Sequence, residues 1–138
     1  MSTPIPTRPL PQPTAETAAY WAAAQEQRLV IQRCASCGNC QFYPRAFCIG
    51  CLSERIEWID ASGQGRIYSF TVSRIAPSPA FEGRLPYVVA LIDLDEGVRL
   101  VANILDADLE RVRIGGAVRV CFETVSESCT LPQFTLLD

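Results

Sequence analysis

Residues 34–51 read CASCGNCQFYPRAFCIGC and contain two Cys-x-x-Cys pairs separated by ten residues. The four cysteines of these pairs are Cys34, Cys37, Cys48 and Cys51. Each pair forms a tight turn that directs two thiolates at one ion, and Gly38 and Gly50 suit such turns. The spacing predicts a closed four-thiolate metal site, for which structural zinc is the favoured metal. Iron in a rubredoxin-like site is the competing assignment, because the same ligand set binds it.

Three further cysteines lie outside this set. Cys40 continues the Cys-x-x-Cys rhythm, but a four-coordinate ion is already satisfied without it, so we expect a spare surface or hairpin thiol. Cys121 lies in the strand-like AVRVCFETV and is expected to be a small buried hydrophobic residue, whereas Cys129 lies in a polar stretch and is expected to be exposed. Disulfides are the weaker interpretation, since cytosolic thiols stay reduced.

The composition indicates a small folded protein. The chain has 138 residues, of which 49% are hydrophobic and 20% charged, which fits one modest domain or a domain with a small appendage. No apolar run approaches the roughly 18 residues of a membrane span, and the N-terminal stretch has no apolar signal core, so we expect a cytoplasmic protein. The net charge of −3 argues against nucleic-acid binding through phosphate neutralisation.

The basic residues narrow the possible chemistry. The sequence has no histidine, and all twelve basic residues are arginine. This composition excludes a Ser-His-Asp triad, a Cys-His pair, a histidine-ligated catalytic zinc and a Schiff-base lysine. No catalytic residue is nominated among the side chains that remain.

The N-terminal part divides into an arm and a helix. Residues 1–13 contain five prolines and are expected to form a poorly ordered arm. Residues 14–27 are rich in alanine, begin with a capping threonine and are predicted to be a helix. Tyr20 and Trp21 lie on its apolar stripe, which must cover either the chain's own core or a partner.

Short apolar runs alternating with turn residues predict a small barrel for most of the remaining chain. A short helical turn is predicted at 107–111. The predicted strands cover residues 28–33, 54–60, 65–74, 86–94, 98–104, 117–124 and 133–137.

A wider pattern links these segments. The order of AYWAAAQEQRLVIQRC, CxxCG, FYPRAFCIGC, ASGQGRIYSFTV, PYVVALIDLDEGVRLVANI and VRIGGAVRVCFE resembles the zinc-ribbon and OB-fold proteins of the DUF35 type, from about Tyr20 to about Glu123. The resemblance implies a mainly β fold with an N-terminal helix at 14–27, a rubredoxin-like zinc ribbon at 28–58 and a five-stranded OB-fold barrel at 59–138. Cys40 departs from the family pattern but leaves the four ligands intact.

The resemblance also implies a function. Members of this family act as non-catalytic subunits beside thiolases, hydroxymethylglutaryl-CoA synthases, acyltransferases or side-chain-cleaving aldolases in lipid or steroid metabolism, and some bind acyl-CoA. For this chain it implies a hetero-oligomer in which the helix, with Tyr20 and Trp21, helps to dock the partner enzyme. The phosphates of acyl-CoA suit guanidinium groups. The arginines nominated for that contact are Arg45, Arg66, Arg74 and Arg99.

Two alternatives from other classes stay open at this point. Zinc ribbons and OB barrels also bind single-stranded nucleic acid, for which Phe42, Tyr68 and Phe70 would supply stacking surfaces. A rubredoxin-like electron carrier would hold iron in the four-cysteine site.

Overall fold

The structure is a computed structural model that describes residues 8–137. In this range the chain forms one α-helix, α1 (Ala18–Gln25), eight strands and two 3-10 helices at Pro79–Arg84 and Leu109–Arg111. The predicted mainly β architecture, with an N-terminal helix, a four-cysteine ribbon and a five-stranded barrel, is confirmed. The strands are β1 (Val30–Cys34), β2 (Cys40–Gln41), β3 (Ile56–Asp60), β4 (Gln64–Ser73), β5 (Tyr87–Leu94), β6 (Arg99–Ile104), β7 (Ala117–Ser126) and β8 (Cys129–Leu136).

The first three strands form the small sheet of the ribbon, in the order β2-β1-β3. Both pairings are antiparallel, and Gln32 of the central strand lies opposite Gln41 on one side and Trp58 on the other. Leu29 and Ile31 are buried in the same apolar cluster as the barrel residues. The ribbon and the barrel therefore share one hydrophobic core.

Strands β4 to β8 close into a barrel in the order β4-β5-β6-β8-β7. Neighbouring strands are antiparallel except β6 and β8, which are parallel. Residues alternate along β5, where Val88, Ala90, Ile92 and Leu94 are buried and the residues between them are partly exposed. Phe134 of β8 is fully buried. Alternation with one buried face is what a closed barrel requires.

Two neighbouring strands of the barrel approach so closely at position 65 that this residue must be glycine. A Cβ atom at Gly65 would lie 2.5 Å from the carbonyl oxygen of Asp93 in the neighbouring strand β5. Only a residue without a side chain permits this approach, which is a common role for glycine within strands.

The helix is shorter than the predicted range 14–27. Thr14 and Thr17 form a turn before it, in which the Thr14 hydroxyl accepts the Thr17 backbone N–H at 3.2 Å. At the other end Gln27 has φ = 60° and leaves the helical conformation. Both polar ends of residues 14–27 thus form turns outside the helix. At the N-terminal end the threonine side chains favour the turn.

The strand predictions need two corrections. β2 was not predicted, because two residues are too few to show alternation. The last strand begins at Cys129 rather than at residue 133, and Cys129 is buried rather than exposed. A tight turn after Ser126 starts this strand early, and Cys129 then lies beside Trp21 and Thr130.

The N-terminal arm is only partly described, since residues 1–7 lie outside the described range. Residues 8–13 have no regular secondary structure, but Arg8 contacts the ring of Phe81 and the carboxylate of Glu123. The ribbon sheet continues to Asp60, past the predicted domain boundary at residue 58. Among residues 8–137, no helix is long and apolar enough to cross a membrane.

Candidate metal centre and ribbon cleft

The structure brings the four predicted ligands together at one end of the ribbon. The Sγ atoms of Cys34, Cys37, Cys48 and Cys51 all lie within 4.8 Å of one another. The Cys34–Cys51 and Cys37–Cys48 Sγ distances are 3.6 and 3.7 Å. A tetrahedral zinc ion with Zn–S bonds of about 2.3 Å requires sulfurs about 3.8 Å apart, so the four residues fit this metal.

The two turns that carry these cysteines have the same backbone design. The N–H of Gly38 donates to the carbonyl of Cys34, and the N–H of Leu52 donates to the carbonyl of Cys48, each at 2.8 Å. Gly38 has φ = 79°, but in the second turn Leu52, not Gly50, adopts the positive φ, at 65°. A leucine in this conformation costs roughly 1–2 kcal/mol. The second turn therefore needs stabilisation from its packing and from the metal ion that Cys48 and Cys51 are placed to bind.

Backbone amides favour the thiolate form of two of the four cysteines, Cys34 and Cys48, whereas burial and the neighbouring thiols leave the pKa values of Cys37 and Cys51 raised. The N–H of Cys37 lies 3.4 Å from the Cys34 sulfur and is the main cause of a Cys34 pKa lowered to about 6. The backbone N–H groups of Cys51 and Gly50 lower the pKa of Cys48 in the same way. Because thiolates rather than thiols bind metal ions, these amides favour the metal-binding form.

Two buried glutamines fix the loop between β2 and the second turn. Gln41 donates to the side-chain oxygen of Gln32 at 2.8 Å and to the Phe47 carbonyl at 3.2 Å. Gln32 in turn binds both backbone groups of Arg45, at 2.9 and 3.0 Å. The sequence analysis missed both residues. Nothing in the sequence indicated that these two glutamines are buried, because a polar residue in a short strand is usually assumed to face solvent.

Two of the four nominated arginines meet at one place. Arg45 from the ribbon and Arg99 from β6 line a cleft of about 200 Å³ between ribbon and barrel, together with Tyr43 and Ile49. Within the described residues the Arg45 side chain makes no ion pair. The Arg99 side chain already has partners within the chain. Its Nε atom lies 2.6 Å from an Asp93 carboxylate oxygen, and its Cζ atom lies 3.4 Å from the Tyr68 ring centre.

The other two nominated arginines do not line this cleft. The Arg66 guanidinium donates to the Gly115 carbonyl at 2.9 Å. Arg74 follows the far end of β4, where Ser73 lies opposite Tyr87, whereas the cleft lies near the β5–β6 turn. A strand of this length separates its ends by roughly 25 Å, so Arg74 and Arg45 cannot share one small ligand group.

The predicted docking residues of α1 both have contacts within the chain. The Tyr20 ring packs edge-on against Trp21 and Phe42 at 4.9 and 5.6 Å, and burial raises the pKa of its phenol. Trp21 is half-buried beside Leu10 and Cys129. Their role in docking a partner stays a prediction, and both rings also serve the chain's own packing.

A carboxylate that sequence reasoning missed connects two segments outside the barrel to strands β7 and β8 of its wall. Glu123 of β7 accepts hydrogen bonds from Arg84 at 2.5 Å, from Gln133 at 3.2 Å and from Arg8 at 3.4 Å. Arg84 also lines a cavity of about 330 Å³. Desolvation raises the pKa of Glu123, but the hydrogen bonds from Arg84 and Gln133 outweigh it and leave the pKa lowered.

The remaining thiols are poorly suited to nucleophilic chemistry. Burial raises the pKa of both Cys121, which is half-buried, and Cys129. Cys40 is half-buried in β2 and packs against the core cluster. Protonated thiols are weak nucleophiles, and no histidine is present to take up their protons.

Comparison with known protein families matches most of the chain. Residues 21–57 match the family model described as ChsH2, rubredoxin-like zinc ribbon domain, and residues 58–123 match ChsH2, C-terminal OB-fold domain. A DUF35 domain-containing scaffold protein of Methanothermobacter thermautotrophicus is 36% identical over 81% of this chain and 85% of its own length. A solved structure titled Ltp2-ChsH2(DUF35) aldolase has a TM-score of 0.83 and 38% identity, covering 91% of this chain and 98% of that one.

Several relatives are named as enzyme subunits. A probable enoyl-CoA hydratase alpha subunit of Thermomonospora curvata is 39% identical over 92% of this chain, which spans only 39% of that longer protein. The benzoylsuccinyl-CoA thiolase subunit BbsA of Geobacter metallireducens is 33% identical over 59% of this chain and 52% of its own length. The family models cover both the ribbon and the barrel, the DUF35 relative matches most of both chains, and the chain is a member of the DUF35 family of zinc-ribbon and OB-fold proteins.

Proposed function

We propose that this chain is a non-catalytic accessory subunit that binds an enzyme of the thiolase superfamily and helps to form its acyl-CoA site. The observation that carries the proposal is the likeness, in fold and at 38% identity over 91% of the chain, to a component of the Ltp2-ChsH2(DUF35) aldolase. The thiolase subunit BbsA points to the same partner class. We place the complex in the cytoplasm, the compartment that the composition predicts. We expect the complex to be a stable hetero-oligomer.

The side chains of this protein support a non-catalytic role. Four thiols are committed to the metal centre, and the pKa values of Cys121 and Cys129 are raised. Asp93 is paired with Arg99, and one Glu96 oxygen accepts the backbone N–H of Ser62. General acid and base catalysis needs a positioned group that is free to move a proton, and these side chains are instead engaged at the candidate metal centre, buried, or held by partners within the chain. The reacting groups would then belong to the partner.

The test is reconstitution with the partner enzyme. We expect the isolated chain to give no measurable turnover of acyl-CoA thioesters, and the partner to need this chain for full activity. Activity should be assayed for each purified protein alone and for the mixture. Hydrolysis or acyl transfer by the isolated chain, or a partner whose activity is the same with and without it, would refute the accessory role.

The ribbon cleft is the place we propose for the nucleotide end of acyl-CoA. Among residues 8–137 the Arg45 guanidinium has no ion-pair partner there, and the exposed ring of Tyr43 offers a surface on which an adenine can stack. Arg99 lies on the opposite wall, where the cation–π contact with Tyr68 keeps it in place. The backbone of Arg45 is already fixed by Gln32, so little loop ordering opposes binding.

We expect Arg45→Ala to weaken coenzyme A binding by about tenfold or more, because a charge-assisted hydrogen bond contributes about 1.5–3 kcal/mol. Titration calorimetry with coenzyme A and the complex measures this, and affinity should fall at high salt. The matched control is Arg74→Ala, which removes an exposed arginine at the far end of β4. Equal losses in the two variants would show that general charge, rather than the cleft, attracts the ligand.

The two alternatives have weaker support from the side chains. Of the three aromatic residues nominated for nucleic-acid stacking, Phe42 and Phe70 pack against the core and Arg99 covers Tyr68. A salt-sensitive affinity for single strands at physiological salt would favour that reading. An electron carrier would show stoichiometric iron and visible colour, whereas zinc is colourless.

A further inference from the structure

Four of the large exposed apolar side chains lie close together in the sequence of the ribbon. Tyr43, Phe47, Ile49 and Leu52 are 62%, 42%, 55% and 71% exposed and lie within ten consecutive residues. We call these four residues the ribbon tip. Scattered apolar residues on a surface are ordinary, whereas several large ones concentrated in one short segment point to an interaction site.

The ribbon tip is also held in place. Cys48 and Cys51 are ligands of the metal centre and alternate with the tip residues along the chain. Gln41 accepts the N–H of Ile49 at 3.1 Å and donates to the carbonyl of Phe47 at 3.2 Å. A surface fixed before binding loses little conformational entropy when a partner docks, which favours affinity.

The charge around the ribbon tip indicates what covers it. Residues 34–53 contain one arginine, Arg45, and no acidic residue, although the whole chain has a net charge of −3. A two-fold contact between two copies would bring two such stretches together, each with an arginine and neither with an acid to offset it. A different protein with an apolar, acidic surface is the better complement.

We propose that the ribbon tip is the docking surface for the thiolase-superfamily enzyme, whose matching surface is apolar with an acidic rim. The inference rests on the proposed function and places the main anchors on the ribbon, apart from helix α1. Tyr43 and Ile49 also line the ribbon cleft. A partner seated on the tip therefore closes one side of that cleft, so that the acyl-CoA site is formed by both proteins.

The experiment places a photo-crosslinking amino acid at Ile49 and, as a control, at Ile75. Ile75 is 86% exposed and follows Arg74 at the far end of β4. The tagged full-length chain is expressed in its source organism, irradiated and purified, and the crosslinked proteins are identified by mass spectrometry. We expect a crosslink from Ile49 to a thiolase-superfamily subunit and none from Ile75.

Each other result contradicts a specific claim. If the thiolase-superfamily enzyme co-purifies but crosslinks only from Ile75, the docking surface is wrong and the accessory role stands. A crosslink from Ile49 to a second copy of this chain also overturns the docking surface. If no such enzyme co-purifies, the proposed function fails and the docking surface with it.

Matched variants test the same surface in the purified complex. We expect Ile49→Ser combined with Leu52→Ser to weaken the complex by about thirtyfold or more, as apolar anchors at interface centres commonly do. The melting temperature and zinc content of the variant should match those of the unmodified chain. Ile75→Ser should change neither affinity nor melting. Unchanged affinity in the double variant would overturn the proposal.

Discussion

Replacing Cys48 with serine is expected to remove the metal and unfold the ribbon, which is the largest single-residue effect we predict. A structural zinc site contributes about 10–16 kcal/mol of apparent binding free energy in small zinc domains, and that energy is folding energy. The ribbon has little else to hold it, since its sheet contains only three short strands. Leu29 and Ile31 join the barrel core, so the loss also exposes part of the barrel.

The measurement combines metal analysis with thermal unfolding. Elemental analysis should give about one zinc per unmodified chain and almost none for Cys48→Ser, whose melting temperature should fall by more than about 10 °C. Cys40→Ser is the matched control, because it makes the same chemical change at a thiol outside the ligand set. A fully folded metal-free protein, or stoichiometric iron with a visible spectrum, would contradict the zinc assignment.

Glu123→Gln is expected to lower the free energy of unfolding by about 2–3 kcal/mol. The neutral amide loses the charge-assisted hydrogen bonds from Arg84 and Arg8 and leaves both guanidinium groups without their carboxylate. The Glu123 side chain is only 18% exposed, so water replaces these contacts poorly. Residues 8–13 and the 3-10 helix Pro79–Arg84 should become accessible to proteases.

Urea unfolding and limited proteolysis measure these two effects. Glu127→Gln serves as the control, because this nearby glutamate is exposed and should change stability by less than about 0.5 kcal/mol. If the two variants behaved alike, Glu123 would not connect the arm and the 3-10 helix to the barrel.

The same contacts predict the direction of a pH effect. The pKa of Glu123 is lowered below its usual 4.5 in the folded chain. The unfolded chain therefore binds the proton more tightly, so the stability due to Glu123 is present above the unfolded pKa and is lost as the pH falls through the folded pKa. Glu123→Gln should flatten the acid limb of the stability curve.

The candidate metal ligands were predictable because they are close in the sequence. Spacing alone identified Cys34, Cys37, Cys48 and Cys51, and the structure places their sulfurs together. The barrel strands were likewise visible in local alternation, as along β5. Local patterns of this kind reveal structural features that depend on residues close together in the sequence.

The parts that sequence reasoning missed depend on distant contacts. Glu123 and Arg8 are 115 residues apart, and nothing near either one signals the other. Gln32 and Gln41 looked like ordinary polar residues until the strands were paired. Cys129 was expected to be exposed because its neighbours are polar, but the docking of α1 beside β8 covers it.

Purifying the tagged full-length chain from its source organism and weighing the intact assembly by native mass spectrometry tests the accessory role most directly. We expect a stable hetero-oligomer that contains a thiolase-superfamily subunit, this chain and one zinc ion per copy of it. A chain that is recovered alone, or only with nucleic acid, would contradict the proposed function.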